Sequence, residues 1–372
     1  MTVGPLRALP KAMAPSRRLL YLDWIRGLAA LVMLQGHVFH SFIRNDLREG
    51  NLYVFSQFVG GLPPAVFLFL TGVTFGFLMH SQERKGVPPV RRWMVSLRRA
   101  GYLFVVAFAF RLQLWIFSWG QSPTSDLWRV DVLNCMGFAL ALMSIMSLFS
   151  SADRIRLCAI LGLAIACASP LVTQIEWGNT PWIVKSYLAP DHNFFGFFPW
   201  AAFVAFGLSF GSLLRVLDEE QMQQGMLWIG LTGLVLASGA HTVSNLGVSL
   251  YSKSDFWLDN PLLILIKLGI VLIAISFAFV WHRQLSAQNW SWIRQFGVTS
   301  LLVYWVHIEL VYGRWLSSWK ESLSAEQTVA AAVGVIVLML LLSLLRTNFS
   351  KVRTAVAGMW QASPQPERVS GD

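Results

Sequence analysis

The stretch Leu22-Asp23-Trp24-Ile25-Arg26-Gly27-Leu28-Ala29-Ala30-Leu31-Val32-Met33-Leu34-Gln35-Gly36-His37-Val38-Phe39-His40 decides how the chain is read. It lies in an apolar run over 19–42, long enough to cross the ~30 Å hydrocarbon layer of a bilayer as a helix. Yet it carries four ionisable side chains, Asp23, Arg26, His37 and His40. At about 100° per residue, Arg26 and His37 fall within about 20° of each other after three turns, with Asp23 and His40 about 60° and 40° to either side. All four share one stripe, and Arg26 and His37 stand ~16.5 Å apart along the axis. A charge near the bilayer centre costs at least ~2.5–3.5 kcal/mol, so such a stripe marks a functional site by default. Taken singly, each residue also has a bland explanation. Asp23 and a snorkelling Arg26 would form a local ion pair, and each histidine would bond to a neighbouring helix. The run follows Arg17-Arg18, but it is too long for a signal peptide, and His37-Val38-Phe39-His40 replaces a small-residue cleavage site. It reads as an anchor that stays.

The rest of the chain agrees. Of 372 residues, 55% are hydrophobic and only 13% charged, against about 25% charged in a soluble protein. Mean hydropathy is +0.55. Several soluble domains, disorder, a coiled coil and a disulfide-rich secreted domain are excluded. The fold expected is an all-α polytopic membrane protein of about ten transmembrane helices, over 19–42, 53–79, 100–119, 130–150, 157–175, 195–214, 226–244, 260–281, 297–314 and 327–346. The fourth and fifth of these also read as one re-entrant feature. The net charge of +10 reflects the positive-inside bias rather than nucleic acid. Segments 1–18, 80–99, 151–156, 215–225, 282–296 and 346–372 carry nineteen Lys and Arg, against seven on the other side: Arg44, Arg48, Arg129, Lys185, Lys253, Arg314 and Lys320. Both termini are therefore expected in the cytoplasm, with the protein in the cell (inner) membrane. The chain divides into a basic cytoplasmic N-terminus (1–18), a membrane domain (19–346) and a cytoplasmic tail (347–372) expected to be disordered after Ser350. Cys135, Cys158 and Cys167 are odd in number and form no CxxC, so neither a disulfide framework nor a metal site is indicated.

Further polar groups recur at membrane depth. Ser300, Tyr304, His307, Val311 and Arg314 share a face of the ninth span, with Glu309 pointing away. Tyr304 and His307 either stabilise helix packing or complete a cavity shared with the first span. Arg84, Lys85, Arg91, Arg92, Arg98 and Arg99 form a basic loop, which serves topology and headgroups or an anion, because Arg forks match phosphate. Gly60-Gly61-Leu62-Pro63-Pro64 and Pro199-Trp200 mark helix breaks, tolerated where they line a cavity. Asp131 and Asn134 add polarity to the fourth span, with a helix cap as the simplest role of Asp131. In the loop before the sixth span, Trp177, Trp182, Tyr187, Asp191 and His192 suit a sugar, or an interfacial aromatic belt.

Leu22-Asp23-Trp24-Ile25-Arg26-Gly27-Leu28-Ala29 followed by His37 resembles the opening helix of the transmembrane acyltransferase superfamily. The Arg26-to-His37 spacing is similar to its acyltransferase-3 branch. Pro64-Ala65-Val66-Phe67-Leu68-Phe69-Leu70-Thr71-Gly72-Val73, Val130-Asp131-Val132-Leu133-Asn134, and Phe198-Pro199-Trp200 followed by Gly207 look more like its heparan-α-glucosaminide N-acetyltransferase branch. Ser300-Leu301-Leu302-Val303-Tyr304-Trp305-Val306-His307 is similar to a late helix of both. The resemblance covers roughly 17–346. The extra amino-terminal lumenal region of the animal enzymes and the hydrolase-like domain of some acyltransferase-3 proteins find no counterpart here, so the sugar specificity does not carry over.

The resemblance implies transfer of an acyl group, usually acetyl, from cytoplasmic acyl-CoA to a hydroxyl or amine of a carbohydrate or glycoconjugate across the membrane. Arg98 and Arg99, with Arg26, would hold the CoA phosphates, and Asp23 would orient Arg26. His37 would be the general base or carry the acyl group. Tyr304, His307 or Asn134 would donate to the thioester oxyanion. Acyl-CoA, the acceptor and membrane lipid are the expected partners, with no metal and no nucleic acid, and a homodimer is one assembly the chain allows. The competing class is a small-molecule transporter or lipid-linked sugar flippase that uses the Arg26/His37 stripe as a proton or substrate path, although no inverted repeat is visible. A structural or lipid-sensing membrane protein is the third reading.

Overall fold

The computed structural model describes residues 19–247, 249–283 and 290–361. The basic segment 1–18 and the end of the tail, 362–372, lie outside the described residues. The architecture is all-α. Among the described residues the only strand-like pairing is an isolated bridge between Ile43 and Leu323. Eight helical spans are long and apolar enough to cross a membrane, which makes the chain a multi-pass membrane protein.

Ten spans were expected, and the two outside this set have physical reasons to differ. The first, α1 (Leu20–Phe42), has the length but is diluted by its polar stripe. The ninth is divided at Thr299 into α11 (Trp292–Val298) and α12 (Ser300–Tyr312). The second is broken where glycine and proline crowd together. It becomes α2 (Asn51–Gly60) and α3 (Pro63–Arg84), with proline at the first turn of α3, where a missing N–H costs nothing. The fourth and fifth are separate: α5 (Val132–Met143) and α6 (Ser151–Thr173). The sixth, α8 (Phe197–Val216), is non-helical at Phe198, as Pro199-Trp200 led one to expect. The remaining helices are α4 (Pro89–Phe117), the short α7 (Trp182–Leu188), α9 (Glu219–Asn245) and α10 (Pro261–Trp281). The last helix, α13 (Ala325–Gln361), continues well past the expected end at 346. The disordered tail expected after Ser350 is thus helical to Gln361, because no proline interrupts the chain before Pro364.

The centre of the bundle is the crossing of α3 and α8. Gly72 and Gly76 on α3 face Gly207 and Gly211 on α8. A Cβ on Gly72 would lie 2.2 Å from the Val204 carbonyl oxygen, and one on Gly207 only 1.9 Å from that of Phe69. Two small-xxx-small faces therefore interlock backbone against backbone, the close packing that membrane helices use in place of a hydrophobic drive. A buried ion cluster pins one end of the same helices. Arg154 is fully enclosed, donating to Glu83 Oε2 (2.9 Å), Ser151 Oγ (2.8 Å) and Ser212 Oγ (3.1 Å). Arg92, expected in an exposed basic loop, is also buried, 3.9 Å from the same carboxylate. Both arginines entered the sequence reading as loop charges. They are instead structural, since a buried charge persists only when paired.

A second close crossing places α1. A Cβ on Gly27 would sit 1.8 Å from the Ile293 carbonyl oxygen, and one on Gly297 would sit 1.8 Å from that of Asp23. At the other end of α1, Leu323 N donates to Phe42 O (3.0 Å), Glu321 N to Ser41 O (3.0 Å), and Ser41 Oγ to Val311 O (3.1 Å). Clamped at both ends, α1 presents its polar stripe to α12.

Candidate active site

One cavity of about 1440 Å³ runs through the bundle, larger than the ~300–1,000 Å³ of an ordinary small-molecule pocket. Arg26, Met33, His37 and His40 line it from α1, so the stripe read from spacing is a cavity wall. Arg26 Nη1 lies 3.2 Å from Asp23 Oδ1, with Asp23 buried and Arg26 partly open to the cavity. The local ion pair and the position on the cavity wall are therefore both real. Gly60 and Pro64, at the break between α2 and α3, also face the cavity.

The two stripes meet at a histidine pair. His37 Nδ1 stands 2.9 Å from His307 Nε2, with the rings 5.1 Å apart and nearly parallel. His307 Nδ1 lies 2.7 Å from the Val303 carbonyl oxygen. A carbonyl only accepts, so His307 Nδ1 carries its hydrogen and, in a neutral ring, Nε2 offers a lone pair. His37 Nδ1–H then donates to it, which leaves the lone pair of His37 at Nε2. One backbone oxygen thus sets the tautomer of both rings. Tyr312 packs edge-on against His37, with ring centroids 5.3 Å apart, and Tyr304 against His307 at 5.9 Å.

The other expected residues divide. Tyr304 and Arg99 line the cavity, whereas Arg98 does not and is exposed, because it sits about 100° away from Arg99 on α4. His307 stands behind His37 rather than on the wall, with both nitrogens engaged. Asn134 is likewise absent from the wall. Asp131 caps α5, accepting from Leu133 N (2.9 Å) and Asn134 N (3.2 Å) through Oδ1. Asn134 completes the capping box and donates to the Tyr187 hydroxyl (3.2 Å). Burial raises that hydroxyl above its ordinary range, so Tyr187 is a neutral partner. Of the five outer-loop residues proposed for a sugar, only His192 reaches the cavity wall, beside Asn193 and not far in sequence from Phe195.

Several wall residues were not foreseen. Arg346 on α13 joins Arg26 and Arg99 on the wall, giving it three guanidiniums from three helices. Its signal was available: it is the first charge after nineteen uncharged residues, 327–345. Arg111 on α4 also lines the wall and pairs with Asp131 at 3.1 Å. Glu309, read as pointing away, is buried and reaches the wall as well.

A multi-pass helix bundle thus surrounds a large cavity lined by arginines and by His37, which is paired with His307. The chain belongs to the family described as heparan-alpha-glucosaminide N-acetyltransferase, catalytic, whose family model matches residues 18–244. Of the two branches the sequence resembles, the heparan-α-glucosaminide N-acetyltransferase branch is thus the one supported, and the protein is of a membrane acetyltransferase family. No curated protein matches the chain.

Proposed function

We propose that the protein transfers an acetyl group from cytoplasmic acetyl-CoA to a hydroxyl or amine of a carbohydrate or glycoconjugate at the opposite side of the membrane. The observation that carries this reading is the shared cavity itself, with Arg26, Arg99 and Arg346 at one end and the His37–His307 pair ~16.5 Å along α1 from Arg26. Guanidinium forks suit the CoA phosphates, and the separation suits an extended pantetheine arm ending in a thioester beside His37. The Lys and Arg bias favours the cytoplasm for the arginine end.

In the transfer step the acceptor oxygen or nitrogen attacks the thioester carbon while its hydrogen passes to His37 Nε2. The C–S bond then breaks, and the departing thiolate takes that proton, so His37 returns to its neutral form. His307 fixes the ring and spreads the charge that develops on it. Tyr304, on the same wall, is the residue best situated to meet the developing oxyanion.

The test is acetyl-CoA binding to the detergent-solubilised protein, followed by thermal shift. Ligand at 100 times its dissociation constant should stabilise the wild type by ~2.7 kcal/mol. His37→Ala should keep that stabilisation and lose about 10²–10⁴ of the transfer rate. Arg26→Ala should lose stabilisation. No shift with acetyl-CoA or any longer acyl-CoA would overturn the reading.

A further inference from the structure

Trp305 and Glu309 stand on two surfaces at once. On one side they line the large cavity. On the other, with Phe117, Val306, Leu310 and Trp315, they line a separate groove of about 460 Å³ whose wall is almost wholly apolar. Phe117, at the end of the apolar span α4, and Trp315, in the turn after α12, are both exposed. The partition between cavity and groove is one side chain thick and is held by side chains: the Trp305 indole N–H donates to Gln113 Oε1, Gln113 Nε2 to Glu309 Oε2 (3.2 Å), and Trp315 Nε1 to Glu309 Oε1 (3.0 Å).

Two features of this partition ask for a ligand. Glu309 is a buried carboxylate bonded by neutral N–H groups; among the described residues no salt bridge joins it to a cation, although the charge of Arg314 acts on it. Trp115, also on the cavity wall, has a buried indole N–H with no hydrogen-bond partner among the described residues. Glu309 and Trp115 thus both face the cavity. Along α12, Glu309 lies only ~3 Å of axial rise from His307, which puts the partition level with His37.

We infer that this partition is a lateral gate for a lipid-linked acceptor: a polar head group carried on a long hydrocarbon chain enters from the membrane between α4 and α12. The head meets Glu309 and the Trp115 N–H beside His37, and the chain remains in the groove. An acceptor arriving only from water would use the cavity mouth and would gain nothing from an apolar groove continuous with the reaction level. The inference rests on the acetyltransferase reading for the chemistry, but the occupancy of the groove is tested without it.

The probe is dodecyl glucosaminide with a diazirine in its alkyl chain, photolysed with the full-length protein in phosphatidylcholine nanodiscs and mapped by peptide mass spectrometry. Label at Phe117, Val306 and Leu310 should be about tenfold denser than at Ile160 and Val235, the gain of burying roughly two further methylenes. Those two control positions are fully lipid-facing, at 66% and 68% exposure. Unlabelled dodecyl glucosaminide should compete, and methyl glucosaminide should not. Val306→Trp should remove most of the label, and Leu310→Trp provides a second variant should the first fold poorly. Label no denser than at Ile160 and Val235 means annular lipid only and overturns the gate. Label indifferent to both tryptophan variants overturns it too. Failure of acetyl-CoA to stabilise the wild type would strike the acetyltransferase reading instead, and the label pattern would still decide the gate.

Discussion

The helices α1 and α12 supply one histidine each to the same pair, but they are built in opposite ways. α1 has twenty-three residues and carries a polar stripe from Asp23 to His40. α12 has thirteen and is apolar apart from Tyr304, His307, Glu309, Tyr312 and its first serine. α1 lies inside the region matched by the acetyltransferase family, and α12 lies beyond its end at residue 244. The difference teaches how labour is divided. His37 faces the cavity and has a free nitrogen for chemistry, whereas His307 spends both nitrogens on holding it. The histidine facing the cavity comes from the family's region, and the one that fixes its tautomer comes from outside it.

The comparison breaks most completely if α1 and α12 are moved apart. Gly27→Ala would put a Cβ 1.8 Å from the Ile293 carbonyl oxygen, against backbone that has no rotamer to escape into. The variant should lose activity outright and destabilise the protein by about 1–3 kcal/mol or more, as overpacking does. Gly101→Ala is the control, because its Cβ would meet nothing within 4 Å. It should be neutral or slightly stabilising, through helix propensity alone. Melting both in detergent checks this, and an active Gly27→Ala protein would mean that the α1–α11 crossing does not position His37.

How legible all this was follows from the same residues. The polar stripe of α1 could be read because helical geometry makes spacing into position, and Arg26, His37 and the ion pair to Asp23 fell where arithmetic put them. The helix breaks at Gly61 and Pro199 were legible for a similar local reason. What could not be read was which faces of different helices meet. Nothing in the sequence says that His307 points at His37, or that Asn134 turns to Tyr187 instead of the cavity. Arg98 and Arg99 were indistinguishable as two adjacent arginines until the direction of α4 was known. Glu309 was misjudged because its partners, Gln113 on the distant α4 and Trp315 in the turn after α12, are brought to it only by the fold.

The division of roles is sharpened at His307. His307→Phe keeps the ring's bulk but removes the lone pair that accepts from His37 Nδ1–H. His37 is then free to take the wrong tautomer, and transfer should fall about 10–100-fold, the usual cost of losing a partner that orients a working imidazole. His307→Gln retains a side-chain acceptor and should recover part of the loss. Binding of acetyl-CoA, read by thermal shift, should be the same in both. A loss of binding in step with activity would instead make His307 a donor-site residue, as the sequence alone first suggested.

The smallest effects test the arginine end, where the family's region and the remainder again meet. Arg99 lies within the matched residues and Arg346 outside them, yet both line the cavity beside Arg26. If CoA phosphates sit among the three, Arg99→Ala and Arg346→Ala should each weaken acetyl-CoA by about tenfold, the loss of one charge-assisted hydrogen bond in a partly solvated mouth. The rate at saturation should hardly change, because these groups touch the donor equally before and during reaction. Arg98→Ala should do neither, since Arg98 is exposed and off the wall. Titrating acetyl-CoA against the three variants separates geometry from charge count. Equal weakening by Arg98 and Arg346 would mean that a diffuse basic surface gathers the donor, and that the convergence of three helices at the cavity mouth is incidental.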